Sequence, residues 1–84
     1  MDGKIYPRNS SIWEYEIRGD WVYDRYNQWV YKKQGNWIYD KNNNAVYTFD
    51  GTYVYPKDSG MWEYKIEGGK IYTRYSGMWE YEIQ

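Results

Sequence analysis

Residues 35–51 read GNWIYDKNNNAVYTFDG. Two short segments, Trp37-Ile38-Tyr39 and Ala45-Val46-Tyr47, flank a polar link, and a glycine stands at each end of the stretch. Alternation with a period of two, in segments rich in Ile, Val, Tyr and Trp and too short for helices, is typical of β-strands. A short link makes consecutive strands antiparallel neighbours, because parallel pairing needs a long crossover. The stretch therefore predicts a β-hairpin.

This hairpin unit recurs along the whole chain. Gly3, Gly19, Gly35 and Gly51 are spaced 16 residues apart, and Gly68 follows 17 residues after the last of them. The links between units end in Gly, as in two-residue hairpin turns with positive φ. We predict an all-β fold for a single domain of residues 1–84, with five repeated β-hairpins over residues 3–18, 19–34, 35–50, 51–67 and 68–84. These hairpins form an antiparallel up-and-down meander of about ten short strands, open-sided or curled into a barrel.

Strand periodicity assigns the side chains to two faces. One face receives most aromatic residues, for example Trp29 and Tyr31 of a second strand together with Trp21 and Tyr23 of a first strand. The opposite face carries Ile5, Glu14, Val22, Val30, Ile38, Val46, Val54, Glu63, Ile71 and Glu80. We expect the aromatic face to be buried, either inside a curled sheet or between two sheets of a dimer. The reverse curl, with small aliphatic side chains inside and aromatics outside, remains an alternative because a tightly curved sheet has little internal space.

Composition excludes several classes of function. The 84 residues contain no Cys and no His, which removes disulfides, thiolate chemistry, the usual zinc sites and the commonest general base. A net charge of −1 disfavours nucleic acid and membranes as partners. The first residues lack the apolar run of a signal peptide and no segment has the length of a membrane span, so we expect a soluble protein of undetermined location. Aromatic residues make up 24% of the chain and must supply most of its buried area.

Two patterns of acidic residues resemble chemical sites. Residues 40–44 begin like a calcium loop, but Ala45 and Gly51 stand where that loop needs Gly and a bidentate Glu, so a polar hairpin loop explains them. Glu14, Glu63 and Glu80 have the chemistry of glycosidase carboxylates, yet exposed strand positions do not give the deep pocket such a pair requires. We expect no catalytic residues, no metal and no cofactor, and hence no enzyme.

Fragments of the pattern resemble known families. The run Gly69-Lys70-Ile71-Tyr72 through Tyr81-Glu82-Ile83 is similar to small bacterial repeat proteins of unassigned function, which form an open-sided β-meander. The resemblance covers the whole chain and implies the fold without an activity. Residues 35–40 and 51–55 resemble the aromatic hairpins of choline-binding repeats, in which Trp and Tyr cages hold quaternary ammonium. Tyr23-Asp24 and Tyr39-Asp40 resemble the Tyr-Asp repeats of bacterial shell-forming proteins.

These observations favour a noncatalytic protein-interaction or structural β-repeat module. The candidate partners are another protein or a second copy of the chain, bound through edge strands or an exposed sheet face. The alternative is a small-ligand module that stacks carbohydrate or quaternary ammonium groups on Trp and Tyr. The candidate ligand-binding residues are Tyr26, Tyr75, Trp21, Trp29 and Trp37.

Overall fold

The computed structural model describes residues 2–84, which form ten β-strands. The strands are β1 (Gly3–Pro7), β2 (Tyr15–Arg18), β3 (Trp21–Asp24), β4 (Trp29–Gln34), β5 (Trp37–Asp40), β6 (Ala45–Phe49), β7 (Tyr53–Pro56), β8 (Tyr64–Glu67), β9 (Lys70–Thr73) and β10 (Trp79–Ile83). Each strand pairs antiparallel with its neighbours in sequence, which confirms the predicted meander. No helix within residues 2–84 has the length and hydropathy needed to cross a membrane.

The first and last strands pair with each other and close the sheet into a barrel. Ile5 lies opposite Ile83 across this seam. Lys4 and Gln84 exchange backbone hydrogen bonds of 2.8 and 2.9 Å. The strands around Ile5 and Tyr81, which would be unpaired edges in an open sheet, are therefore joined. The sheet formed by residues 2–84 therefore has no unpaired edge strand to which a partner strand could be added.

The two ends of the barrel differ in their connections. Four tight turns join one unit to the next at one end, here called the turn end, where Gly19 and Gly35 adopt a φ of 63°. Five longer connections within the units lie at the other end, here called the loop end. The side chains of Asp24 and Asp40 accept backbone N–H groups of their own loops, at 2.8 to 3.0 Å. Asp40 thus shapes the hairpin loop that resembles the start of a calcium site.

A β-bulge near the start of the second strand of a hairpin changes the face on which the neighbouring residues lie. In the second hairpin Val22 lies opposite Tyr31 but Tyr23 lies opposite Trp29, so Val30 is an extra residue without a partner. An extra residue interrupts the alternation of side chains. Trp29 and Tyr31 consequently point to opposite sides of the sheet, although they are two residues apart.

The same extra residue occurs in every hairpin. The register shifts at equivalent places in the third and fifth hairpins. In the first and fourth hairpins, the N–H groups of Glu14 and Glu63 donate to the carbonyls of Ile5 and Val54, the residues that also oppose Tyr15 and Tyr64. We call the five extra residues the bulge residues: Glu14, Val30, Val46, Glu63 and Glu80.

Three layers of side chains point into the barrel. Residues directly opposite each other in an antiparallel pair share a face, so the registers define these layers. The tyrosine layer, nearest the loop end, consists of Tyr15, Tyr31, Tyr47, Tyr64 and Tyr81. The aliphatic layer in the middle consists of Ile5, Val22, Ile38, Val54 and Ile71. At the turn end the inward positions are Ile17, Lys33, Phe49, Ile66 and Ile83.

The six tryptophans and the first-strand tyrosines lie outside, which corrects the predicted faces. Trp21 packs edge-on against Trp29 with centroids 5.1 Å apart, and Tyr53 packs on Trp62 at 5.2 Å. Basic side chains lie over this outer aromatic surface, as Lys32 does over Trp21 and Tyr39 at 5.6 Å from each centroid. Neither predicted arrangement is correct as a whole, because the second-strand tyrosines and Phe49 are inside while the tryptophans and the first-strand tyrosines are outside.

Candidate functional site

A cavity of about 270 Å³ occupies the interior of the barrel. All ten members of the tyrosine and aliphatic layers line it, together with Ile17, Ile66 and Ile83. Eight strands leave a barrel interior just wide enough for side chains to fill, so ten strands leave space. Within residues 2–84 only Ile5 and Val54 are buried, at 8% and 7% exposure, so the interior is lined but not filled.

The tyrosine layer lines the part of this cavity nearest the loop end, here called its entrance. Its rings pack edge to face, with centroid distances of 6.3 Å between Tyr31 and Tyr47 and 6.4 Å between Tyr47 and Tyr64. Burial, followed by the nearby carboxylate of Glu63, raises the pKa of Tyr47 to about 12. Burial and carboxylates raise the pKa of Tyr15, Tyr64 and Tyr81 in the same direction. These phenols therefore remain neutral hydroxyls near neutral pH.

Carboxylates of three bulge residues stand beside the tyrosine layer. Glu14, Glu63 and Glu80 each directly precede a tyrosine of the layer and are half-buried. None of the three forms an ion pair within residues 2–84. The other three glutamates, Glu16, Glu67 and Glu82, each pair with a Lys or Arg at 3.0 to 3.5 Å. The glutamates next to the cavity are thus the ones without a cationic partner in the described chain.

Closure of the barrel brings these three glutamates to one side of the loop end. They belong to the fourth, fifth and first hairpins, which become neighbours through the β1–β10 seam. The same three hairpins share a loop in which the hydroxyl of Ser10, Ser59 or Ser76 accepts a backbone N–H two residues later, at 3.0 to 3.1 Å. Those N–H groups belong to three exposed apolar residues: Ile12, Met61 and Met78.

Basic residues also stand at the loop end. One follows each first strand, and Arg8 and Arg74 are the two that are half-buried. The guanidinium of Arg8 contacts the sulfur of Met78 and the carbonyl of Trp79, and that of Arg74 lies 4.5 Å from the ring of Tyr75. Within residues 2–84 neither a basic nor an acidic side chain lines the cavity. The carboxylates that act on its tyrosines are those of Glu14, Glu63 and Glu80, beside the tyrosine layer.

The five predicted ligand-binding residues all lie outside the cavity. Tyr26 and Tyr75 are loop residues with 77% and 81% exposure. Their loops, β3–β4 and β9–β10, are on different parts of the ring. Trp21 and Trp29 are in contact, whereas Trp37 stands on the next hairpin. The structure therefore brings two of the five together and leaves the other three apart.

The sequence contained a signal for the interior residues that face analysis missed. Every second strand has one Tyr at the same place in the repeat, and every first strand has one Ile or Val. Hairpin pairing sets these two residues opposite each other, as with Ile38 and Tyr47. The repeated pair of an aliphatic residue and a tyrosine thus indicated the members of the aliphatic layer and of the tyrosine layer.

Within residues 2–84 no three acidic residues stand close enough together to hold a metal ion. Comparison with family models, with curated proteins and with solved structures found no match.

Proposed function

We propose that this protein is a noncatalytic binding module that takes a small organic molecule with an apolar body into its barrel. The cavity of about 270 Å³, lined by tyrosines and aliphatic side chains, is the observation that supports this function. Small-molecule sites are concave and mostly apolar, with a few polar groups that orient the ligand. The volume lies just below the usual range for such sites, which limits the ligand to a small molecule.

A filling substitution tests the proposal. Val22 belongs to the aliphatic layer, so Val22→Phe places a ring in the cavity, whereas Thr48→Phe adds the same ring on the outer face opposite Tyr55. We expect n-hexanol to bind the unchanged protein saturably, in the roughly millimolar range for so small a ligand. Ligand-observed NMR should show this binding lost in Val22→Phe and kept in Thr48→Phe.

Ile38→Phe provides a second filling variant from another hairpin, and far-UV circular dichroism reports whether each variant is folded. Absence of saturable binding to the unchanged protein would refute the proposal. Binding that survives in both folded filling variants would place the ligand elsewhere on the protein.

The exposed loop residues favour a second candidate, the protein-interaction module. Within residues 2–84, five of the seven large hydrophobic residues that are exposed lie in loops of the loop end: Ile12, Tyr26, Met61, Tyr75 and Met78. Clustered apolar residues on a surface are typical of contacts between proteins. Light scattering of the protein with Met61→Ser and Met78→Ser distinguishes this function, since self-association through the loop end would decrease in those variants.

A further inference from the structure

The interior of the barrel is divided along its axis into an apolar part and a polar part. The aliphatic layer occupies the middle and offers no polar side-chain atom. The tyrosine layer lies between it and the loop end, with hydroxyl groups and aromatic faces. A ligand that fills both parts has an apolar tail and a polar head, with the head toward the loop end.

The charges around the entrance are negative on the inner side. Glu14, Glu63 and Glu80 adjoin the tyrosine layer and have no ion-pair partner within residues 2–84, although every other glutamate has one. Asp24 lies opposite Tyr15 and Asp40 opposite Tyr31, so these carboxylates share the inner side. Both aspartates are already hydrogen-bonded to N–H groups of their loops. Glu14 is within hydrogen-bonding reach of the Tyr15 hydroxyl, which leaves Glu63 and Glu80 as the two of these carboxylates with no hydrogen bond within residues 2–84.

The two half-buried arginines of the loop end do not form ion pairs with these glutamates. Arg8, whose N–H donates to the carbonyl of Glu80 at 2.9 Å, directs its guanidinium to Met78 and Trp79 instead of to that carboxylate. Arg74, whose N–H donates to the carbonyl of Glu63, lies over the ring of Tyr75. Half-buried carboxylates are stabilised by an opposite charge nearby, and aromatic faces attract cations in the same way.

We infer that the ligand of this cavity is an amphipathic ammonium ion, with its apolar tail in the aliphatic layer and its charged head among the tyrosine hydroxyls and the three glutamates. The inference rests on the proposed function, since it names the chemical class of molecule that the same cavity accepts. The ammonium hydrogens donate to carboxylate and phenol oxygens, which makes a primary ammonium group the best fit to an entrance rich in acceptors.

Three probes with the same tail and different heads test the charge of the ligand. Isothermal titration calorimetry compares n-hexylammonium, n-hexanol and hexanoate at low ionic strength. We expect n-hexylammonium to bind roughly tenfold more tightly than n-hexanol, and hexanoate to bind more weakly than either. Added salt should reduce the affinity for n-hexylammonium and leave that for n-hexanol unchanged.

Matched carboxylate variants locate the charged head. Glu80→Gln removes a carboxylate beside the tyrosine layer, and Glu82→Gln removes one two residues away that pairs with Lys70 on the outer face. We expect Glu80→Gln to weaken n-hexylammonium several-fold without changing n-hexanol, and Glu82→Gln to change neither. Glu14→Gln and Glu63→Gln repeat the test on the other two carboxylates.

The possible results separate the inference from the function on which it rests. Equal affinity for n-hexanol and n-hexylammonium would refute the ammonium head and leave the cavity as a site for neutral molecules. Equal effects of Glu80→Gln and Glu82→Gln would refute the position of the head. Absence of binding by all three probes would overturn both the inference and the proposed function.

Discussion

The tyrosine layer should make the barrel less stable as the pH rises into the alkaline range. The pKa of Tyr47 is about 12 in the folded protein against an ordinary value of 10.0. The folded state thus holds the phenol proton more tightly than the unfolded chain does. This contribution to stability is fully present below about pH 10 and is lost as the pH rises through the folded pKa of about 12. A difference of one pKa unit corresponds to about 1.36 kcal/mol, so the upper limit for this residue, whose pKa differs by about two, is roughly 2.7 kcal/mol.

Solvent reduces that limit. Tyr47 is only half-buried, and charges near solvent are screened, so we expect its protonation to contribute about 1 kcal/mol. Urea unfolding followed by circular dichroism, from about pH 8 to about pH 11.5, measures the loss of stability. Tyr47→Phe should flatten part of this pH dependence, and Tyr55→Phe on the outer face is the matched control variant. A free energy of unfolding with the same pH dependence in Tyr47→Phe and in the unchanged protein would refute this reasoning.

Three further substitutions probe the seam, the aliphatic layer and the outer surface. In Gly3→Ala the new Cβ would lie 2.9 Å from the carbonyl oxygen of Gln84, so urea unfolding should show a loss of about 1–3 kcal/mol. Gly77→Ala, whose Cβ meets nothing within 4 Å, is the control, and an equal loss there would contradict the seam. Val54→Ala removes two methyl groups of a buried side chain and should cost about 2 kcal/mol in the same assay, and a cost below about 0.5 kcal/mol would contradict that burial. Lys32→Gln removes two cation–π contacts and should lower the free energy of unfolding by about 0.5–1 kcal/mol, with Lys33→Gln as the variant expected to lose less.

The secondary structure and the order of the strands could be predicted from the sequence because both depend on local patterns. The alternation around Ile38 and Tyr47 identifies strands, and the short polar links leave antiparallel neighbours as the simplest arrangement. Closure of the sheet into a barrel, in contrast, does not depend on a local pattern. It depends on how far the sheet curves over all its strands, and no residue near Ile5 or Ile83 indicates it alone.

The faces were predicted wrongly for a local reason. Strict alternation places Trp29 and Tyr31 on one side, but the bulge at Val30 places the tryptophan outside and the tyrosine inside. A bulge residue needs no special side chain, since Glu occupies the position in three repeats and Val in the other two. Trp21 and Trp29 were predicted as ligand residues from the same strict alternation. The aromatic residues that line the cavity are instead the second-strand tyrosines.

The seam between β1 and β10 also bears on how the barrel assembles. Each hairpin pairs residues close in sequence and can form early, whereas the pairing of Lys4 with Gln84 closes a loop spanning nearly the whole chain. Ile83 lies opposite Ile5 in the same way that Ile17 lies opposite Val22. The seam therefore resembles the contacts between consecutive hairpins that are joined by a tight turn. In the closed barrel the pairing of the first and last strands is therefore equivalent to the pairing between other neighbouring hairpins. A circular permutant opened at the Arg18-Gly19 turn, with a short linker joining the present ends, should reach the same barrel by a different closing step.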